Sequence, residues 1–201
     1  QEGSALCVHW QRLPARQGRL RVALPALVLG LGCRKGVPAP LVATAVEGLL
    51  LRYGLEPQAL AALATVAEKA REPALQELAR RLGLPLLTFE AAELAGVTTP
   101  HPSMAAGERF GCAPFSVCEA ASLLAARQMG MTGTATPDAN GAWPARPDGL
   151  GNAPPAGARN GSRTDGTDAP AARLLVEKTR VAGQLTLAVA LSTKGSWRDD
   201  D

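Results

Sequence analysis

Apolar and polar positions change their period along this chain, and each change marks an element. Ala26–Leu31 is an unbroken apolar run between Pro25 and Gly32, the pattern of a strand buried on both faces. From Pro38 to Tyr53 the spacing turns helical, with Val42, Val46, Leu49, Leu50 and Tyr53 on one side and Gly54 where a C-terminal glycine belongs. Leu60–Ala64 reads as a second strand. Leu75, Leu78 and Leu82 form the stripe of a second helix, with Pro73 near its start and Gly83 just past its end. Leu84–Phe89 is a third strand. The resulting β-α-β-α-β order with short links predicts parallel pairing, right-handed crossovers and helices over both faces.

Beyond Phe89 the segments shorten. Ala91–Ala95 and Ser103–Phe110 predict short helices, and Ser116–Arg127 a longer one opened by the capping-box pattern Ser116-x-x-Glu119. Gln128–Ala172 carries eight Gly and six Pro in 45 residues with few aliphatics, which predicts a disordered insertion and not a domain. Leu174–Val176 and Gln184–Leu191 are strand-like, linked through Glu177–Gly183 by a hairpin or a longer return. Residues 1–22 show no period and read as a flexible arm; residues 192–201 read as a polar tail. The expected architecture is an α/β domain over residues 23–191, interrupted at 128–172. It is three-layered, α/β/α, with a mostly parallel sheet of about five strands and a C-terminal hairpin-like strand pair.

Composition narrows the function classes. The 201 residues suit one domain, and 46% hydrophobic content with only 3% aromatics means that Ala, Leu and Val build its core. A net charge of +3 is too small to argue for nucleic acid, and no apolar run approaches the roughly 18 residues of a membrane span. Cys7, Cys33, Cys112 and Cys118 form no CxxC pair, and His9 and His101 add no zinc spacing. The expectation is free thiols in a cytoplasmic setting, with no metal site and no cofactor. Arg12, Arg16, Arg19 and Arg21 ahead of Val22–Gly32 loosely resemble an export signal, but Pro25 interrupts the stretch and Arg34 and Lys35 follow it directly.

Candidate chemistry gathers where strands end. Gly30-Leu31-Gly32-Cys33-Arg34-Lys35-Gly36 follows the first strand and precedes the first helix, the edge at which open α/β sheets bind ligands. Its amides and Arg34 suit an anion, yet the spacing matches neither a Walker loop nor a dinucleotide fingerprint. A phosphate- or nucleotide-binding loop is therefore an alternative, as is a tight turn with solvated charges. Cys33 is a candidate nucleophile if its neighbours depress its pKa. Lys69 and Glu72 follow the second strand, where Thr65-x-x-Glu68 also suggests a capping box. Thr98-Thr99-Pro100-His101-Pro102-Ser103 offers His101 as a proton carrier and Ser103 as a helix N-cap. Ser116, Glu119 and Lys178 complete the set.

Taken together, these patches resemble the cobalamin-biosynthesis family that comprises CobE and the C-terminal domain of CbiG. The residues that carry the resemblance are Val28–Gly36, Ala64-Thr65 with Lys69, Glu72, Pro73 and Leu75, Leu82–Leu86, Thr99–Ser103, Ser116–Ala121, Leu174–Lys178 and Thr186–Ala190. The chain departs from the family pattern at Phe115, where a glycine is usual, and at Glu177, where a proline is usual. The resemblance implies a compact three-layer α/β domain and a role in corrin-ring assembly. It is closer to the stand-alone form than to the longer relative, which opens a lactone of cobalt-precorrin-5A and releases acetaldehyde. A precorrin is an apolar ring rimmed by acetate and propionate arms, so an apolar slot edged by cations and backbone donors fits it. Gly30, Gly32, Cys33, Arg34, Lys69, His101, Ser103, Ser116 and Lys178 are the expected substrate-binding residues. Glu72 and Glu119 are the expected acid–base pair of the hydrolytic alternative. Expected partners are a precorrin or cobalt-precorrin, other corrin-pathway enzymes and a second copy of the chain.

Overall fold

The computed structural model describes residues 5–14, 19–131 and 172–193. Its central sheet starts with β3 (Leu27–Cys33), preceded by two short strands, β1 (Ala5–His9) and β2 (Arg19–Ala23). Helix α1 (Ala39–Arg52) leads to β4 (Leu60–Val66), and α2 (Pro73–Leu82) leads to β5 (Leu86–Phe89). The crossovers make β3–β4 and β4–β5 parallel. Short helices α3 (Ala91–Ala95) and α4 (Met104–Phe110) then precede the long α5 (Val117–Met131), and β6 (Ala172–Val181) and β7 (Leu185–Ser192) close the sheet. The strand order is β5-β4-β3-β7-β6.

The sheet is mixed, and not mostly parallel as expected. β7 lies antiparallel to β3, and β6 antiparallel to β7, so two pairings run each way. The hairpin is the cause. Ala182 and Gly183 both take positive φ (49° and 64°), the geometry of a tight turn that fits strand twist. The link between β6 and β7 is therefore much shorter than Glu177–Gly183. Five of those seven residues, Glu177–Val181, are strand, because β6 is an edge strand and leaves Glu177 and Arg180 exposed.

Alternation along β3 explains the three layers. Leu27, Leu29 and Leu31 point to one face and pack with Val42, Val46, Leu49 and Leu50 of α1 and with Leu75 and Leu78 of α2. Val28, with Ala62, Ala64 and Val66 of β4, faces Ala120, Ala121, Leu123 and Ala125 of α5. Small residues on this second face let the helix come close. A Cβ on Gly30 would stand 1.8 Å from the Cys118 carbonyl oxygen, so α5 rests directly on the strand backbone. Turn chemistry follows the reading too: Pro73 opens α2, Gly83 closes it at φ 64°, and Gly54 follows α1 at φ 61°.

Other expectations need correction. Parts of the supposed arm are ordered: β1 and β2 pair in parallel, with Leu6 beside Leu20 and Val8 beside Val22. Gln128–Met131 extends α5 and Ala172 opens β6, so both ends of the supposed insertion are regular structure, and the rest of it lies outside the described residues. The supposed tail begins with Ser192 still in β7; residues 194–201 are likewise outside. Among the described residues, no helix is long and apolar enough to cross a membrane.

Candidate functional site

Two buried carboxylates organise the edge where β3 and β4 end. Glu72 stands at the start of α2 with 7% of its surface exposed, beside Lys69 at 6%. Its Oε1 accepts the Gly36 N–H at 2.7 Å, and its Oε2 lies 3.4 Å from the Lys69 ammonium. The carboxylate thus tethers the turn after β3 to the turn after β4. Thr65 adds a second tie, its hydroxyl donating to the Leu31 carbonyl at 2.7 Å. This changes the reading of Thr65-x-x-Glu68. No side chain caps the single 3-10 turn Ala67–Lys69, and Glu68 pairs instead with Arg109 on the surface at 2.8 Å.

The glycine loop is correspondingly less open to an anion than its sequence suggests. Gly30 is buried beneath α5, and the Gly36 amide already serves Glu72. Gly32 is half-buried, with Val117 and the Thr186 hydroxyl in the space a side chain would need. Arg34 is exposed, and its amide donates to the Gln184 carbonyl at 2.9 Å. Cys33 is not the activated thiol of the sequence reading. Burial pushes its pKa up, and Glu72 adds to the rise while Lys69 opposes it.

Glu119 forms the second cluster. It sits in the first turn of α5, fully buried, yet ionised. Burial raises its pKa, but hydrogen bonds from the His101 side chain, the Lys178 amide, Ser116 and the His101 amide together pull it below the usual value. The distances are 3.0 Å from Oε1 to His101 Nδ1, 2.9 Å from Oε1 to the Lys178 amide and 3.2 Å from Oε2 to the His101 amide. The carboxylate meets Ser116 at its own helix start, but it also reaches beyond the helix and joins the 98–103 loop to β6.

The remaining members assemble around it. Lys178 donates its ammonium to the His101 carbonyl at 3.1 Å. Ser103 offers no side-chain cap to α4; its amide bonds the Phe115 carbonyl at 3.1 Å, which pins the His101 loop to the start of α5. Ser116 and Cys118 are fully buried, 3.7 Å apart through Oγ and Sγ. Burial raises the Cys118 thiol, against hydrogen bonds with Thr186 and Ser116. Thr186 also donates to the Gly32 carbonyl at 3.1 Å. Polar contacts therefore run from His101 through Glu119, Ser116, Cys118 and Thr186 to Gly32, next to Cys33. The two clusters belong to one edge.

His101 is the group this edge displays. Its side chain is 50% exposed while Glu119 is not exposed at all. An ionised carboxylate only accepts, so Nδ1 must carry the hydrogen, and in the neutral ring Nε2 keeps its lone pair. Nε2 lies 3.8 Å from Glu177 Oε2, longer than a hydrogen bond, on a side chain that is 62% exposed. Glu177 is thus a member of this cluster that the residue reading left out. Its departure from proline was the available signal. Phe115, the other departure, is buried against Phe110 with ring centroids 5.7 Å apart and acts as packing. Among the described residues, no three His, Cys, Asp or Glu side chains converge as a metal site.

Comparison with known proteins fits this frame. The family model described as cobalamin synthesis G C-terminus matches residues 27–142, more than half of the chain. Over 86 residues the chain is 37% identical to the cobalt-precorrin-5A hydrolase of Salmonella typhimurium, covering 43% of this chain and 22% of that one. Over 102 residues it is 33% identical to protein CobE of a Sinorhizobium species, covering 50% of this chain and 65% of CobE. The chain thus spans under two thirds of either relative. A crystal structure of CobE, a protein from the cobalamin (vitamin B12) biosynthetic pathway, matches with a TM-score of 0.57 and 25% identity, over 85% of this chain and 93% of that one. The chain belongs to the family of the cobalamin synthesis G C-terminus and is a cobalamin-biosynthesis protein of the CbiG and CobE type.

Proposed function

We propose that this protein binds a polycarboxylate precorrin or cobalt-precorrin at the edge formed by β3, β4 and the start of α5, and holds it for another corrin-pathway enzyme in the cytoplasm. The observation that carries the reading is the division of labour at that edge. Two buried carboxylates are fully occupied in holding loops, while His101, Arg34 and the partly exposed Lys178 are presented outward. The guanidinium of Arg34 and the ammonium of Lys178 suit carboxylate arms, and several such groups acting together are needed, because each exposed pair contributes little. Glu119 and Glu72 act here as positioning residues. In place of the direct substrate contacts expected of them, Gly30 packs under α5 and Ser103 anchors the His101 loop.

Hydrolysis of cobalt-precorrin-5A is the second reading, favoured by one feature. His101 with Glu119 behind Nδ1 is a base with its orienter, a pair of the kind that activates water. The phosphate reading loses support because the Gly36 amide is already donated to Glu72 and Gly30 is covered by α5, which leaves the glycine loop few free amides for an anion. Titration of the protein with cobyrinic acid, followed by absorbance and gel filtration, tests the main reading. Co-elution with an intact chromophore is expected. Absence of binding overturns it, and acetaldehyde release from cobalt-precorrin-5A, lost in His101→Gln, selects the second reading.

A further inference from the structure

The residues that hold His101 suggest what its free nitrogen is for. Metal-binding histidines almost always donate their second ring N–H to a carboxylate or carbonyl, which fixes the ring and makes the coordinating nitrogen more basic. His101 has that arrangement without a metal ligand set of its own: Nδ1 on the buried Glu119, the amide on the same carboxylate and the carbonyl on the Lys178 ammonium. Three contacts to one residue are more than a solvated loop histidine needs. They fix both backbone and ring, so the direction of Nε2 is fixed as well. The space before Nε2 is bordered by Glu177, an exposed side chain not within hydrogen-bond distance. A planar macrocycle with its metal at the centre presents an axial position to one protruding donor, and its carboxylate arms then fall on the surrounding cations.

We infer that His101 Nε2 coordinates, from one axial side, the cobalt of a corrin-type ligand whose carboxylates this edge binds. The inference rests on the binding reading above and adds to it that the cobalt form is preferred over the metal-free ring. Coordination is a ligand exchange: Nε2 gives its lone pair to cobalt and an axial water leaves, with no change of oxidation state. Imidazole is a suitable ligand for such borderline metal ions, and Glu119 takes the part of the carboxylate behind a metal-bound histidine.

Electron paramagnetic resonance on the full chain with cobyrinic acid reduced to the Co(II) state tests it. Coordination by one imidazole splits each cobalt line into three. The splitting is expected in the wild type, and as two lines when the protein is labelled with nitrogen-15. His101→Ala is expected to lose it while still binding, with affinity falling about tenfold toward that of the metal-free corrin. Bound cobalt without nitrogen splitting, or splitting that survives in His101→Ala, overturns the inference and leaves the binding reading intact. Failure of both the cobalt and the metal-free acids to bind overturns both. Where His101→Ala does not fold, the conservative His101→Gln is the second variant: loss of the three-line pattern in it supports the inference, and its survival overturns it.

Discussion

Glu119 and Glu72 are both buried acids at one sheet edge, and they do different things with the same charge. Glu72 pairs with a lysine that is itself buried, so the pair is directed inward and secures the turn after β3. Glu119 pairs with backbone amides and a half-exposed imidazole, so its charge is passed to the surface through His101. A carboxylate taken from water must find partners in either case. The identity of the partner decides whether the result is a strut or a displayed group. Neither carboxylate is placed as a free acid or base, and under the proposed binding function both serve as positioning residues.

That contrast can be broken from its stronger side first. Glu119→Ala leaves two amides and the His101 Nδ1 hydrogen without their acceptor, and a loss of about 3–5 kcal/mol is expected in urea unfolding. Glu72→Ala strands the Lys69 ammonium in a buried position, for about 3 kcal/mol. Lys69→Met leaves the Glu72 carboxylate buried with only the Gly36 amide, so it too is expected to be destabilising, by less than Glu72→Ala because that tie remains. An equal cost for Lys69→Met and Glu72→Ala would show that the ion pair, and not the amide tie, holds the turn.

Acid is a gentler probe of the same difference. Glu119 has a folded pKa below its ordinary 4.5, so its stabilisation is complete above that value and disappears as the pH falls through the lower folded one. Stability curves from pH 6 to pH 2 are expected to lose this component in Glu119→Gln. At the small end stands the exposed pair of Arg81 with Glu47, at 2.7 Å; Arg81→Ala is expected to cost under about 0.5 kcal/mol in the same unfolding measurement.

How much of this was legible in the sequence follows from which forces act locally. Leu27–Leu31, the α1 stripe and the glycines at 54 and 83 were readable because burial and turn geometry impose a pattern on neighbouring residues. Residues 177–181 were not, since pairing with β7 makes them strand while their outward side chains stay polar. The parallel β1–β2 pair was missed for a related reason: its Leu6, Val8, Leu20 and Val22 face solvent and mark no core. Thr65-x-x-Glu68 misled and Ser116-x-x-Glu119 told only part, because capping is a local rule, whereas Glu119 also bonds residues 18 and 59 positions away. The candidates at 72, 101, 119 and 178 were named as separate points. Only the fold shows which of them touch.

The central claim is that the displayed cations of this edge recognise the acid arms of a corrin ring. Side-by-side absorbance titrations with cobyrinic acid and with its amidated counterpart, cobinamide, test it most directly, at two salt concentrations. Binding of the acid at least tenfold tighter, weakened by salt and reduced in Arg34→Ala and Lys178→Ala, is the predicted result. Equal affinity for the two rings, indifferent to salt and to both substitutions, would contradict it.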